Sequence, residues 1–279
     1  MSGLAARPLK PLIGSAVRID AAALIGGAHA AALRALLIER GVVLFRDLDI
    51  TLDQQRAITA GLGRLRTGDV QKVTIDAAES PEYAAYFPMT FFWHYDGNYA
   101  DAVPCLGASM RPARLAGMGA DGGGETEFLN AYAAYEGLSE SDRRLVDSLR
   151  VVHTRVAANA VARPEASDAE AAAWRRFAPA TQPLVWEHAS GRKSLLLRSS
   201  VSHVEGMHPA DSHDLLCRLR CHMAREEYVY RHTWRMGDLL LWDNTGTLHR
   251  ARPFDPRSGR LLHRFTLEGE EPIRAPAAA

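Results

Sequence analysis

His94 and Asp96 stand one residue apart in the stretch FFWHYDGNY (91–99), with aromatic and apolar residues in front of them. On an extended strand, residues i and i+2 point to the same face, so the imidazole and the carboxylate converge while Tyr95 points away. A neutral imidazole beside a carboxylate is half of a divalent-metal site, and a third ligand must come from elsewhere. The segment GDLLLWDNTGTLHRARPF (237–254) offers Asp243, Asn244 and His249, the last just past the turn-like DNTGT, where a neighbouring strand would begin. Two histidines and one carboxylate with open coordination positions make the facial triad of non-haem Fe(II) oxygenases. An isolated HxD is also a common structural pair, and a chain with 11 histidines produces one readily by chance. The weight therefore falls on what lies downstream.

There, RLLHRFTL (260–267) reads as a strand with Arg260, Leu262, Arg264 and Thr266 on one face and Leu261, His263, Phe265 and Leu267 on the other. Two guanidinium groups aimed to one side among apolar neighbours are disfavoured unless anions meet them. The planar guanidinium suits a bidentate carboxylate partner. A keto acid that chelates the metal and extends a second carboxylate toward an arginine satisfies that arrangement.

The elements that must position these residues follow from periodicity and punctuation. Residues 20–40 read as an amphipathic helix stopped by Gly41, and VVLFR (42–46) reads as a short buried strand. Residues 51–63 read as a second helix with Thr51 as N-cap. A polar-to-aromatic loop (64–89) leads to the strand carrying His94. The glycine-rich ADGGGETEF (120–128) lacks the strand–loop–helix frame and the GK[ST] of a phosphate cradle. Residues 130–150 carry helix signals, with Ser139 or Ser141 as a cap for the second half. An Ala-, Pro- and charge-rich segment (156–182) is expected to be an insertion that acts as a lid or a passive surface excursion. Strands are expected at 183–188, 194–199, 228–235, 238–242, 247–251 and 260–267, with a hairpin turn at HASGRK (188–193) and one helix at 209–226.

Many short strands with few helices predict a sandwich or barrel in one domain spanning 1–279. The 279 residues carry 33 basic and 33 acidic side chains, so no basic footprint for nucleic acid stands out. No run of about 20 apolar residues is present to span a membrane, and the N-terminal MSGLAARPLKPLIG lacks a signal-peptide core. Three cysteines argue against a disulfide framework and for a reducing compartment, with the cytoplasm as the expected location. Cys217, Cys221 and His222 fall in the expected 209–226 helix, where buried structural thiols are the expectation.

WHYD (93–96), GGETEF (123–128), NAYAAYEGLS (130–139), HASGRKSLLLRSS (188–200) and GDLLLWDNTGTLHRARPFDPRSGRLLHR (237–264) together resemble the TauD/TfdA-like Fe(II)/2-oxoglutarate dioxygenases. This group includes taurine dioxygenase and its herbicide- and alkylsulfate-degrading relatives, and the resemblance runs from about residue 40 to the C-terminus. It implies a mainly β fold with flanking helices, a distorted double-stranded β-helix (jelly roll, clavaminate synthase-like). It implies His94, Asp96 and His249 as iron ligands, Thr126 and Arg260 on the distal carboxylate of 2-oxoglutarate, and Arg264 near the substrate's acidic group or the cosubstrate. The implied cofactors are Fe(II), 2-oxoglutarate and O2. The implied reaction hydroxylates or desaturates a small, carboxylate-bearing or amino-acid-derived substrate, releasing succinate and CO2. The segment PMTFF (88–92) is more apolar than its counterpart in taurine dioxygenase, and RLRTGDVQKV (64–73) lacks that enzyme's sulfonate-binding histidine, so taurine is not the expected substrate. Gly97, Asn98, Tyr99 and Phe92 are the candidates for a pocket that takes a larger or partly aromatic molecule. The expected partner is a small anionic substrate, with no nucleic acid and no membrane. A homo-oligomer is compatible with the sequence. The rival readings are a non-redox metal-dependent hydrolase or isomerase on the same barrel, and an idle binding protein on a retained shell.

Overall fold

A computed structural model describes residues 4–115 and 123–277. Its larger sheet has seven strands, in the spatial order Ala6–Pro8, Ser15–Val17, Val42–Phe45, Leu239–Asp243, Gly107–Arg114, Leu261–Thr266 and Gln71–Val73. The Val42–Phe45 strand is buried at all four positions, as a continuous apolar run predicts when both faces are covered. A smaller sheet sets Thr126–Asn130 between Val229–His232 and Thr247–Ala251, all antiparallel. Ala108, Met110, Leu240, Trp242 and Leu262 of the larger sheet share one apolar cluster with Phe128 and Tyr230 of the smaller. Two sheets of short strands therefore close on a common interior, the expected double-stranded β-helix.

Outside the larger sheet, Leu24, Leu33, Leu37, Ile58 and Leu62 of the N-terminal helices pack on Val43, Phe45, Leu239 and Leu241. The second expected helix forms at Leu52–Leu62 under a capping box in which Thr51 and Gln54 exchange side-chain and backbone hydrogen bonds. The first does not run unbroken. It splits into Ala21–Ile25 and Ala30–Arg40, because the Gly26–Gly27 pair ends the first piece and Gly27 sits at φ +70°, which favours glycine. The 130–150 stretch likewise divides: helices span Ala131–Glu136 and Glu140–Asp147, the latter capped by Ser139, and its last residue opens a strand, Arg150–His153. That strand is the middle of a three-stranded sheet with Ala180–Pro183 and Val201–Val204. The expected 188–193 hairpin closes Val185–Glu187 onto Lys193–Leu195.

The segment 156–182 is built of helix Arg155–Ala160, helix Asp168–Arg175 and the beginning of the Ala180–Pro183 strand. The later helix spans Pro209–Met223, its buried face formed by Ser212, Leu215, Leu216, Leu219 and Met223. Cys217 is half-buried and Cys221 exposed, so the expected burial of these thiols does not hold; the helix turns both away from its apolar stripe. No helix among the described residues is long and apolar enough to cross a membrane.

One close approach governs the turn between Leu239–Asp243 and Thr247–Ala251. A Cβ at Gly246 would stand 1.8 Å from Cε2 of the buried Tyr132. Gly246→Ala is therefore expected to destabilise the fold by about 1–3 kcal/mol through overpacking. A chemical denaturation midpoint equal to wild type would contradict this.

Candidate active site

His94 does not lie in a strand. The segment before it is a 3-10 helix, Phe87–Phe91, and His94 makes an isolated antiparallel bridge to His249. The two residues exchange both backbone hydrogen bonds, at 3.1 and 3.0 Å, which sets their side chains on one face. Their rings lie 4.3 Å apart, centroid to centroid. The two-residue spacing to Asp96 still brings the carboxylate to the same place. Ligating atoms of His94, Asp96 and His249 all lie within 4.8 Å of one another, the one cluster of this kind among the described residues.

Each member of the trio presents a lone pair. His94 Nδ1 lies 2.8 Å from the Phe92 carbonyl oxygen, so the tautomer that donates to this oxygen frees Nε2. His249 is buried, and neither ring nitrogen has a hydrogen-bond partner. Its Nε2 stands 3.7 Å from Asp96 Oδ1. Asp96 Oδ1 accepts from Arg264 Nη1 at 2.6 Å, and Oδ2 is buried without a partner. The unpartnered buried lone pairs of His249 and Asp96, with the free Nε2 of half-buried His94 beside them, are a donor set that fits a divalent cation of the iron type.

Burial opposes ionisation of Asp96, but Arg264 and the two imidazoles outweigh it and hold the carboxyl below its usual range. Burial, reinforced by the charge of His249, pushes His94 down to about 3. His153, fully buried and stacked on Tyr99, is also pushed down to about 3, by burial and then by Arg198. Both imidazoles are thus neutral in the folded protein at pH values where an unfolded chain, with a histidine pKa near 6.5, already binds protons. The unfolded state binds more protons between about 6.5 and 3, so stability falls as pH is lowered through that window. Each group adds a slope of up to about 1.4 kcal/mol per pH unit. The metal-free protein is expected to lose urea resistance steadily below pH 6.5, and His153→Gln to reduce the slope. A midpoint flat down to pH 4 would contradict it.

Asp243 and Asn244, the other candidates for the third ligand, do different work. Asn244 Oδ1 accepts from the Asp96 backbone N–H at 2.8 Å, and its Nδ2 donates to the carbonyls of Asp96 and Cys105 at 3.2 and 3.0 Å. Asp243 gathers the Thr245 N–H and hydroxyl, the Gly246 N–H and the Tyr132 hydroxyl, which shapes the turn leading into His249. One residue clamps the loop of the carboxylate and the other aims the strand of the second histidine.

Arg260 is 1% exposed. Its Nη2 donates to the Gly124 carbonyl at 2.9 Å, while Nε and Nη1 are buried with no partner. Its guanidinium lies 4.8 Å from the Phe254 ring centroid, and burial lowers its pKa to about 10, which leaves it charged at neutral pH. Thr126 is buried at the start of the central strand of the smaller sheet, its Oγ1 accepting from Trp234 Nε1 at 3.0 Å. The described part of the glycine-rich loop, Gly123 onward, thus offers Arg260 a carbonyl; residues 120–122 lie outside the described residues. A buried guanidinium with two idle N–H positions fits the carboxylate of a diacid.

Two neighbouring cavities, of about 410 and 460 Å³, meet at Tyr86, Asp96, Gly97 and Arg264. Gly97, Asn98 and Tyr99 line the first of these, as does helix Arg155–Ala160 through Arg155, Ala158 and Asn159. Phe92 instead lines a separate, mostly apolar cavity with Trp93, Leu129 and Leu248. Arg264 reaches Asp96 with Nη1 and Gln71 Oε1 with Nε, the latter at 2.8 Å. Gln71, Arg155 and Arg198 were not singled out by sequence; nothing in their local spacing marks them, since each matters only through where the fold carries it.

The family described as "Taurine catabolism dioxygenase TauD, TfdA family" matches residues 5–266. The chain belongs to this family. An alpha-ketoglutarate-dependent 2,4-dichlorophenoxyacetate dioxygenase of Cupriavidus pinatubonensis is 32% identical over 283 residues, covering 94% of this chain and 96% of the relative. An alpha-ketoglutarate-dependent sulfate ester dioxygenase of Pseudomonas putida is 29% identical, covering 95% and 90%. Among solved structures, AAD-2 in complex with Mn(II) and N-oxalylglycine superposes with a TM-score of 0.80 at 27% identity, covering 97% of this chain and 99% of that one. The chain is accordingly an oxidoreductase, a dioxygenase dependent on Fe(II), 2-oxoglutarate and O2, with the jelly-roll architecture. A non-redox hydrolase or isomerase is not favoured.

Proposed function

We propose that the chain oxidises a small anionic molecule, carboxylate-bearing or amino-acid-derived, by hydroxylation or desaturation. His94, Asp96 and His249 hold the iron, and Thr126 and Arg260 hold the distal carboxylate of 2-oxoglutarate. Iron bound there supplies the oxidation chemistry, coupling conversion of 2-oxoglutarate and O2 to succinate and CO2 with oxidation of a substrate C–H bond. The observation that carries this reading is the convergence of His94 with the unpartnered buried lone pairs of Asp96 and His249, together with the two idle N–H positions of buried Arg260.

The protein's share is position and exclusion of water. The Phe92 carbonyl fixes the His94 tautomer, Asn244 fixes the Asp96 backbone, and Arg264 keeps the Asp96 carboxylate ionised. Arg264, together with Gly97, Asn98 and Tyr99, also borders the space where substrate would lie. Helix Arg155–Ala160 forms one wall of that cavity, which supports reading the 156–182 segment as its cover. Phe92, in the adjoining apolar cavity, would act on the substrate through packing of the His94 segment. Names of the relatives span an aryloxyacetate and sulfate esters, both anionic, which supports an anionic substrate here. Free thiols at Cys105, Cys217 and Cys221 support the cytoplasm as its location.

The reading is tested by incubating the Fe(II)-loaded protein with 2-oxoglutarate, O2 and a panel of small carboxylates and amino-acid derivatives, with succinate as the readout. Stimulation of succinate release by at least one acid is expected. Release stimulated equally by the neutral amides would contradict an anionic substrate.

A further inference from the structure

The cavity beside the trio holds more positive charge than the oxidation chemistry accounts for. Its lining includes Arg155, Arg198 and Arg264 but one acid, Asp96. Arg264 is matched by Asp96 and Gln71. Arg198 is 4% exposed, and its Nη2 donates only to neutral acceptors, the Tyr99 carbonyl at 3.0 Å and Gln182 Oε1 at 2.9 Å. Its Nε is buried with no partner. Arg155, at the start of the cavity-wall helix, makes no ion pair among the described residues; its guanidinium rests 4.6 Å from the Phe177 ring centroid and 5.8 Å from that of Tyr99, and its Nε too is buried and unpartnered. The nearby Asp101 is engaged elsewhere, its Oδ2 accepting from the Asn98 N–H at 2.9 Å and lying 4.0 Å from Arg66.

A guanidinium withdrawn from water without an anion is disfavoured, so buried Arg198, beside half-buried Arg155 on the same cavity, points to an anion supplied from outside. We propose that Arg155 and Arg198 form the headgroup subsite of this cavity. They take the substrate's own oxyanion, a carboxylate or sulfonate, while its body lies against Tyr83, Tyr86, Met89 and Tyr99. The arginine fork presents parallel N–H groups to a pair of oxygens, which both headgroups offer. The cavity's 410 Å³ suits a molecule of that size. The assignment rests on the reading of this cavity as the substrate site, and it distinguishes the anchor of the substrate from Arg264, whose N–H groups are engaged by Asp96 and Gln71.

The test is anaerobic calorimetry on the protein loaded with Fe(II) and 2-oxoglutarate, using 3-phenylpropionate, phenylmethanesulfonate and the neutral 3-phenylpropionamide as probes. Wild type is expected to bind at least one anion roughly 10–100-fold more tightly than the amide, the span of a charge-assisted pair. Which anion wins identifies the headgroup. Arg155→Gln is expected to remove most of that preference while amide affinity stays unchanged, and Arg155→Lys to restore part of it. Arg198 also braces the Tyr99 carbonyl, so Arg155→Gln carries the decision. Equal binding of anion and amide by wild type, no binding of any probe, or an undiminished preference in Arg155→Gln would overturn the subsite. The visible absorption band of the iron–keto acid chelate, followed in the same samples, is expected in wild type and both variants. Its absence from wild type would fault the dioxygenase reading, while the anion-to-amide ratio would still decide the subsite.

Discussion

His249→Ala is expected to abolish substrate-dependent succinate formation. His249 comes from the smaller sheet, whereas His94 and Asp96 come from a loop, and the backbone bridge between His94 and His249 sets the two histidines side by side. With the imidazole removed, two ligands are left, and the buried lone pairs of Asp96 face a void. Loss of a residue that merely orients a ligand typically costs about 10–100-fold in metal affinity or activity, so loss of a ligand itself is expected to exceed about 100-fold. The backbone bridge does not depend on the side chain, so the variant should fold. Iron titration alongside the succinate assay separates lost metal from lost structure. Turnover near the wild-type rate would remove His249 from the site.

Arg260→Ala is expected to raise the 2-oxoglutarate requirement roughly 10–100-fold while the iron requirement changes little. The figure follows from about 1.5–3 kcal/mol for a charge-assisted hydrogen-bonded pair. Arg260 is buried, and among the described residues its guanidinium bonds to the Gly124 carbonyl and packs on Phe254, so no other cation lines up to take over its role. Arg260→Lys is expected to recover part of the loss, since it keeps the charge but not the fork. An apparent 2-oxoglutarate affinity unchanged in Arg260→Ala would contradict the role.

Much of the architecture was legible because its signals are local. Alternation in 260–267, the Thr51 N-cap and the turn before 193 each act within a few residues. The broken first helix was missed because the apolar period continues across Gly26–Gly27, and the weak helix propensity of two glycines is outvoted in a window of 20 residues. Arg150–His153 was not expected as a strand because its partners, in Ala180–Pro183 and Val201–Val204, lie 27 or more residues away. His94 and Asp96 were legible from residue types and spacing, and His249 was picked from three candidates by the family resemblance, even though the strand was not legible: a bridge of one residue pair does what a strand was expected to do. The roles of Asn244, Gln71 and Arg198 were illegible, since each is defined by a partner distant in sequence.

The most direct test of the central claim is anaerobic titration of the metal-free protein with Fe(II) in the presence of 2-oxoglutarate, followed by the weak visible charge-transfer absorption of the chelate. The band is expected to rise to one iron per chain in wild type and to be lost in His94→Ala, Asp96→Ala and His249→Ala alike. A band that persists in any of the three, at wild-type intensity and stoichiometry, would contradict the site.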